Sequence, residues 1–477
     1  MKKKFFISTA IDYPSYFPHL GHALEKIQAD VLTRYKRSQG FEVHFSIGTD
    51  EHGLKMEKSA KKANKDLKEF VDEMSDNFKN LSKVLNISNN DFIRTTEKRH
   101  KNVVLKIFKK IYKNGDIYKG RYSGLYCVDC ESYYLQKDLV NNKCPIHKKG
   151  VEEINEETYF FRMSKYQKKI SEHIKKNKNF ITPQSRRNEI LNRLKDPLQD
   201  ISISRKTVKW GIPLPIDNSF TLFVWIDALI NYLTTIDYPN SRFQDFWPAD
   251  IHVIGKDIVW HHSIIWGSLL LSVGLSLPKK IFSHGFITIE GEKMSKSLDN
   301  AVNPFELVKK YGVDPVRYFL LREFSSTEDG DFNIGRLEER YNSDLANGLG
   351  NLVSRVLTLS AKSAVILNDS EESDNGLSKE IKSTQEKYHQ AMEEIKFNEA
   401  LESVWQLIGV CDEYIEKNKP WELAKNNPEK FNSIINDLLV TIKEIANLLE
   451  PFMPETSEKI LKQIKENKKG ETLFPRL

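Results

Sequence analysis

Residues 4–47 read KFFISTAIDYPSYFPHLGHALEKIQADVLTRYKRSQGFEVHFSI, and this stretch decides the fold. Lys4 to Ala10 is a short, mostly apolar run that reads as a buried strand. Tyr13-Pro14-Ser15 carries turn chemistry, and Gly21 opens a helical pattern through Ala23, Ile27, Ala29 and Leu32. A second strand, Val43 to Ile47, follows Gly40. The order strand, loop, helix, strand predicts a doubly wound parallel sheet, because parallel neighbours need a long crossover between them. Ligands of such sheets sit where strand ends meet helix starts, which directs attention to Pro18–His22.

Sheet-like segments return at Phe220 to Trp225 and Asp250 to Ile254, each followed by a helical pattern, so the sheet is split by an insertion. Residues 117–150 hold Gly, Cys, Asn and aromatic residues with no sustained period, as in an insertion with its own small core or metal. From about residue 335 the texture is helical. Ile434, Ile435, Leu438, Leu439, Ile442, Ile445, Leu448 and Leu449 recur at the spacing of one helix face, with similar faces at 345–365 and 398–415. This predicts an α-helical bundle, in which Asn368 to Gly376 is an exposed loop. No internal repeat is visible.

The 477 residues suggest two to four packed units, with 39% hydrophobic and 29% charged residues as in a globular protein. No apolar run reaches the roughly 18 residues of a membrane span. Ser263 to Leu277, the longest candidate, reads as a buried core helix. Met1 to Ile7 resembles the basic entry of a signal peptide, but Asp12 cuts its apolar part short, so a cytoplasmic protein is expected. A net charge of +6 is mild for this surface, although basic residues crowd 60–110 and 164–210. Three of four cysteines lie within Cys127 to Cys144, which points to metal rather than disulfides; Cys411, in a helical apolar pattern, reads as a core thiol.

Pro18-His19-Leu20-Gly21-His22 places two imidazoles at i and i+3 at a helix entry after a strand. Such a pair can donate to phosphate oxygens, the helix start adds partial positive charge, and Gly21 lets a flat base or ribose approach the backbone. Taken alone, the pair also fits a metal site or two surface histidines. Lys293-Met294-Ser295-Lys296-Ser297 adds two flexible point charges suited to phosphate, with Gly291 before them suggesting a mobile loop. Cys127-x-x-Cys130 and Cys144-x-x-His147 form two close ligand pairs that suit one filled, structural tetrahedral zinc ion, with a reactive Cys-x-x-Cys pair as the rival.

These segments resemble the HIGH and KMSKS signatures of the class I aminoacyl-tRNA synthetases, the first with Leu20 where the family usually has Ile, the second letter for letter. The resemblance implies that the two segments are halves of one ATP site that forms an adenylate. Between His19 and Lys293 there is no obvious room for the large editing insertion of the isoleucine, leucine and valine enzymes. Gly48 to Gly53, Ser202 to Gly211, Val224 to Ala228 and Gly255 to Val259 resemble the methionyl-tRNA synthetases, and the likeness spans essentially the whole chain.

The resemblance implies a split Rossmann-type catalytic domain at 1–115 and 216–272, a connective insertion with a zinc knuckle at 116–215, a stem-contact region at 273–340 and an anticodon-binding bundle at 341–477. It implies ATP held by His19, Gly21, His22, Asp257 and Lys296, with His19, His22, Lys293, Lys296 and Arg205 serving catalysis. Methionine would lie among Ile11, Tyr13, Asp50, Trp225, Ala228, Tyr232 and His262, with Asp50 on the ammonium and the aromatic rings around the polarizable thioether. Asp12 departs from the family, which usually has an aromatic residue or Pro there; its carboxylate would alter binding or face solvent. Cys127, Cys130, Cys144 and His147 would hold one structural Zn²⁺, and Mg²⁺ would accompany ATP. Asn351, Arg355, Pro420 and Trp421 would read the anticodon of tRNA(Met) by stacking and edge hydrogen bonds. The rival expectations are another class I synthetase, a small-molecule nucleotidyltransferase and a silent tRNA-binding paralogue. Because the chain ends soon after its last helix, a monomer is expected.

Overall fold

Lys4 to Ala10 folds as its composition predicts: Lys4–Thr9 (β1) is a strand whose Phe6, Ile7, Ser8 and Thr9 are wholly buried. The structure, a computed structural model, describes residues 2–128, 132–134, 136–145, 148–294, 302–363, 365 and 376–477. Its contacts divide the chain into two units. Unit 1 comprises Met1–Ala29, Gln39–Lys83 and Ile87–His284; unit 2 comprises Asp30–Ser38, Val84–Asn86 and Gly285–Leu477.

In unit 1, β1 lies in a six-stranded parallel sheet with Glu42–Thr49 (β2), Asp91–Arg94 (β3), Ile181–Thr182 (β4), Ile251–Gly255 (β5) and Ile281–His284 (β6). The order is β3-β2-β1-β5-β6-β4. Helix Leu20–Ser38 (α1) forms the crossover from β1 to β2 and buries Leu20, Ala23, Leu24 and Ile27. The order reverses between β1 and β5, and the carboxyl ends of those two strands therefore frame the crevice where this sheet type binds ligands.

Asp250 to Ile254 becomes β5, but Phe220 to Trp225 does not join the sheet. Thr221–Leu222 pairs antiparallel with Ser204–Arg205, and Val224–Ala228 is helical. Phe220, Leu222, Phe223, Val224 and Ile226 are all buried, and a short run buried on every side carries no period that separates strand from helix. The apparently unpatterned insertion contains a long antiparallel pair, Ile117–Cys127 with Glu152–Phe161. Its exposed Lys119, Arg121 and Ser123 alternate with half-buried Tyr118, Gly120 and Tyr122, so no apolar face registers in the sequence. The same 116–215 stretch also supplies the edge strand β4. Of Ser263 to Leu277, the part up to Ser272 is buried helix as expected, entered through a widened π-helical turn at His261–Ile265 and continued by Trp266–Ser272; Val273 to Leu277 is turn and irregular chain, with Gly274 and Ser276 exposed.

Unit 2 carries a three-stranded sheet, Ile287–Ile289, Glu292–Lys293 and Gly330–Asp331, followed by helices. Phe397–Asn418 and Pro428–Leu449 are the longest, and the eight apolar positions of 434–449 are all buried. Cys411 is a core thiol, pushed up to about 12 by burial. Wholly buried Arg317 donates to Asp30 Oδ2 at 2.7 Å and to the carbonyls of Leu85, Pro451 and Phe452, which ties Asp30–Ser38 and Val84–Asn86 into this unit. The Asn368–Gly376 loop, apart from Gly376, lies outside the described residues. Among the described residues no helix is long and apolar enough to cross a membrane.

Candidate active site

The two histidines at the head of α1 are held close together, with ring centroids 3.9 Å apart and planes tilted by 37°. His22 Nδ1 accepts the His19 main-chain N–H at 3.0 Å, and His19 Nδ1 accepts the Gly21 N–H at 3.1 Å. An imidazole nitrogen that accepts carries no proton, so in each neutral ring the proton lies on Nε2. Burial, the His19 ring and the Lys26 ammonium hold the His22 pKa well below its ordinary value, which keeps it neutral. The local fold thus turns two amphoteric rings, when neutral, into Nε2–H donors. Gly21 has a further reason to be glycine: a Cβ there would lie 2.9 Å from His19 Cε1.

The far wall of the crevice is aromatic. Tyr232 donates its hydroxyl to His262 Nε2 at 2.7 Å, because His262 Nδ1 is committed to donating to the Ile258 carbonyl at 3.0 Å. Burial lowers His262 to about 4, so this neutral tautomer persists at physiological pH. Tyr232 also stacks on His252, and Trp225 stacks on His261 with centroids 3.8 Å apart. Burial first, and then His262, push His261 down to about 3. Ala228 is buried one helical turn after Trp225. Half-buried Asp257 sits in the turn Lys256–Ile258 directly after β5.

At the β1 and β2 ends, buried Asp50 is pinned by its amide to the Asp12 carbonyl at 2.7 Å. Half-buried Ile11 precedes this bridge, and Tyr13 follows it, donating its hydroxyl to the His52 carbonyl. Asp12 does not face solvent: its carboxylate is buried against Lys26. The sequence reading missed the groups behind these walls. Asp227 accepts from His52 Nδ1 at 2.5 Å and from His100 Nε2 at 2.8 Å, which ties the Trp225 helix to the Asp50–His52 strand end. Those histidine contacts outweigh burial and hold Asp227 below its ordinary carboxylate value. Asp227 and His52 lie inside the motifs quoted above; His100, in helix Lys98–Lys113, carries no local signal.

The other expected residues lie on other elements. Arg205 is buried in the insertion, donating to Glu156 Oε1 at 3.1 Å and lying over the Tyr126 ring. In unit 2, Glu290 and Gly291 have φ of 53° and 76° and turn Ile287–Ile289 into Glu292–Lys293, while the Gly291 N–H is fixed on Asp331 Oδ1 at 2.8 Å. Glu290 and Gly291 are therefore the two left-handed residues of a tight hairpin. Met294 is buried; Ser295, Lys296 and Ser297 lie outside the described residues. So do Cys130 and His147, while Cys127 and Cys144 are buried, and among the described residues no three potential ligands converge. Asn351 and Arg355 lie on helix Asn351–Ser360, where Arg355 pairs with Asp412 at 3.2 Å and Glu416 at 2.7 Å. Their helix, Phe397–Asn418, ends at left-handed Lys419, after which Pro420 is buried and Trp421 is 47% exposed.

A parallel sheet that reverses between β1 and β5, with a donor pair of histidines at the head of α1, defines a nucleotide-activating site of the class I synthetase type. The family model for tRNA synthetases class I (M) matches residues 5–153 and 135–357, and that for the anticodon-binding domain of tRNA ligase matches 374–475. The methionine–tRNA ligase of Caldanaerobacter subterraneus subsp. tengcongensis is 42% identical over 100% of this chain and 79% of its own. That of Rickettsia felis is 40% identical over 100% and 95%. The Mycobacterium tuberculosis methionyl-tRNA synthetase in complex with methionyl-adenylate superposes with a TM-score of 0.94 at 36% identity, covering 99% of this chain and 100% of that one. The chain belongs to the methionine–tRNA ligase family of class I tRNA synthetases.

Proposed function

We propose that this chain activates methionine with ATP in the crevice of unit 1 and then loads the methionyl group onto tRNA(Met). The methionine carboxylate attacks the α-phosphorus, an O–P bond forms, and the bond to pyrophosphate breaks. The 3′-terminal ribose hydroxyl of the tRNA then takes the acyl group and AMP leaves. The observation that carries the reading is the His19–His22 pair, whose Nδ1 atoms both accept main-chain amides, which puts the proton of each neutral ring on Nε2. Donors fixed before reaction stabilise the charge that grows on the phosphate oxygens without reorganising. The first step otherwise needs only positioning, and no protein nucleophile is nominated.

Asp50 takes the α-ammonium. Trp225, Ala228, Tyr232 and Ile11 form the dry slot for the thioether, with Tyr13 and His262 at its ends. Asp257 accepts from the ribose hydroxyls, and Gly21 leaves room beside the rings. Lys293 and Lys296 bring charge to the departing pyrophosphate, and Arg205 positions the phosphate-binding segment. Mg²⁺ bound with ATP neutralises phosphate charge. Cys127, Cys130, Cys144 and His147 would hold one structural Zn²⁺ cross-linking the insertion; the reading is supported by the spacing of the two pairs and by the burial of Cys127 and Cys144. Asn351, Arg355, Pro420 and Trp421 read the anticodon, supported by the exposure of the Trp421 ring. The enzyme acts as a cytoplasmic monomer, with catalytic segments at 1–115 and 216–272, the connective insertion at 116–215, a stem-contact region at 273–340 and the anticodon bundle at 341–477. ATP–pyrophosphate exchange with each of the twenty amino acids tests the reading: exchange strongest with methionine is expected, and exchange strongest with another amino acid overturns it.

A further inference from the structure

Asp12 and Lys26 form a buried pair between the chain just after β1 and helix α1. The Asp12 main chain extends the β1–β2 ladder, donating to the Gly48 carbonyl at 2.9 Å and accepting from the Asp50 amide at 2.7 Å. Its carboxylate turns the other way, onto α1, where Lys26 Nζ lies 2.9 Å from Oδ2 and 3.0 Å from Oδ1. The two side chains are 8% and 2% exposed. Lys26 is completed by Glu25 Oε1 at 2.8 Å and the Ala10 carbonyl at 3.3 Å, and Glu25 in turn meets His284 Nε2 at 3.1 Å. Lys26 stands one helical turn after His22, so both project from one face of α1. One pair thus joins the strand end that carries Asp50, the turn that carries Tyr13, and the helix that carries the histidine donors.

We propose that Asp12, acting through Lys26, is a positioning residue for adenylate formation that holds Tyr13 and Asp50 in register with His19 and His22. The inference rests on the methionine-activation reading above. A buried pair serves such a role because removing Lys26 leaves the Asp12 and Glu25 carboxylates without their shared cation in a low-dielectric site, and removing the Asp12 charge leaves Lys26 paired with Glu25 on α1 and tied to the strand end only through the Ala10 carbonyl. The charged groups that face the Asp12 carboxylate are Lys26 and Glu25, both from α1. From β2 it meets the main chain of Gly48 and Asp50, and His284 on β6 touches it only through Glu25. Burial pushes Asp12 up to about 7, Glu25 adds to that, and Lys26 opposes it. Protonation near neutrality therefore loosens the register that the ionised pair maintains.

The test is ATP–pyrophosphate exchange by the full chain, with methionine and Mg-ATP varied in turn between pH 6 and 8. For Asp12→Asn, KM for methionine should rise on the order of tenfold, as misplacement of a fraction of an ångström produces, while KM for ATP stays within about twofold. Lys26→Met should reproduce this split, and Asp12→Glu should recover part of it. The unmodified enzyme should lose kcat/KM for methionine as pH falls through about 7, and Asp12→Asn should lack that limb. Equal rises in both KM values, or an unchanged acid limb in Asp12→Asn, overturn the proposal. Should the variants not fold, a wild-type profile with no inflection near pH 7 overturns it alone. No methionine-dependent exchange in the wild type would sink the underlying reading; exchange without the split sinks only the role of Asp12.

Discussion

Gly21→Ala isolates what the helix entry contributes. The added Cβ would stand 2.9 Å from His19 Cε1 and 3.1 Å from Nδ1, where ordinary contact begins near 3.4 Å. The His19 ring must therefore move by roughly 0.5 Å, a distance over which packing energies change sharply. That shift weakens the Gly21 N–H bond to His19 Nδ1, worth about 0.5–1.5 kcal/mol, and re-aims the Nε2 donor. Full loss of one preorganised donor costs about 2.7–4 kcal/mol, so a misdirected one should cost about 1–3 kcal/mol, or roughly tenfold to a hundredfold in kcat. Thermal stability should change little, since the roughly 0.4–1 kcal/mol that alanine gains over glycine at a position without positive φ offsets the weakened bond. Exchange kinetics and a melting curve separate the two effects. The decisive control is Gly21→Ala in a His19→Ala background, where the ring is gone and the penalty should vanish. An undiminished penalty there would refute the role of the His19 ring and favour direct approach of the ligand to the Gly21 backbone.

Cys127→Ser should lower zinc content by metal analysis and weaken activity through misfolding of the insertion, whereas Cys411→Ala should leave zinc unchanged; full zinc in Cys127→Ser would remove that residue from the ligand set. Trp421→Ala should reduce aminoacylation of tRNA by about tenfold to a hundredfold while leaving exchange nearly intact, since base stacking is worth about 1–3 kcal/mol; equal losses in both assays would contradict anticodon contact. Burial lowers His262 from 6.5 to about 4 and His261 to about 3, so the unfolded chain binds more protons than the folded one below pH 6.5. Their contribution to stability is complete above pH 6.5 and declines as pH falls toward 4, by on the order of 3 kcal/mol for His262; a urea midpoint constant from pH 7 to 4.5 would refute neutral burial. Arg317→Met should destabilise unit 2 by about 3–5 kcal/mol, because Asp30 and three carbonyls lose a buried donor, and denaturant titration reads this directly.

Local pattern sufficed where one face or one motif decides. The β1–α1–β2 unit is visible in residues 4–47 because strand and helix periods alternate there, and the long bundle helices because their apolar stripes repeat. The His19–His22 pair is visible because helical spacing alone puts both rings on one side. Phe220 to Trp225 misled because a segment buried all round has no period, and the Ile117–Cys127 strand escaped because both its faces are largely polar or exposed.

Residue order thus decided which elements exist and which side chains reach the carboxyl end of the sheet, since both depend on spacing along the chain. Tertiary structure alone decided protonation, tautomer and pairing. The Nε2–H form of both histidines follows from main-chain amides donating to Nδ1, and the neutral state of His262 from its burial. The Asp227 clamp on His52 and His100, and the Asp12–Lys26 pair, join residues on different elements. Proton affinity and charge pairing depend on distances through space and on exclusion of water, and neither is encoded in any short stretch of sequence.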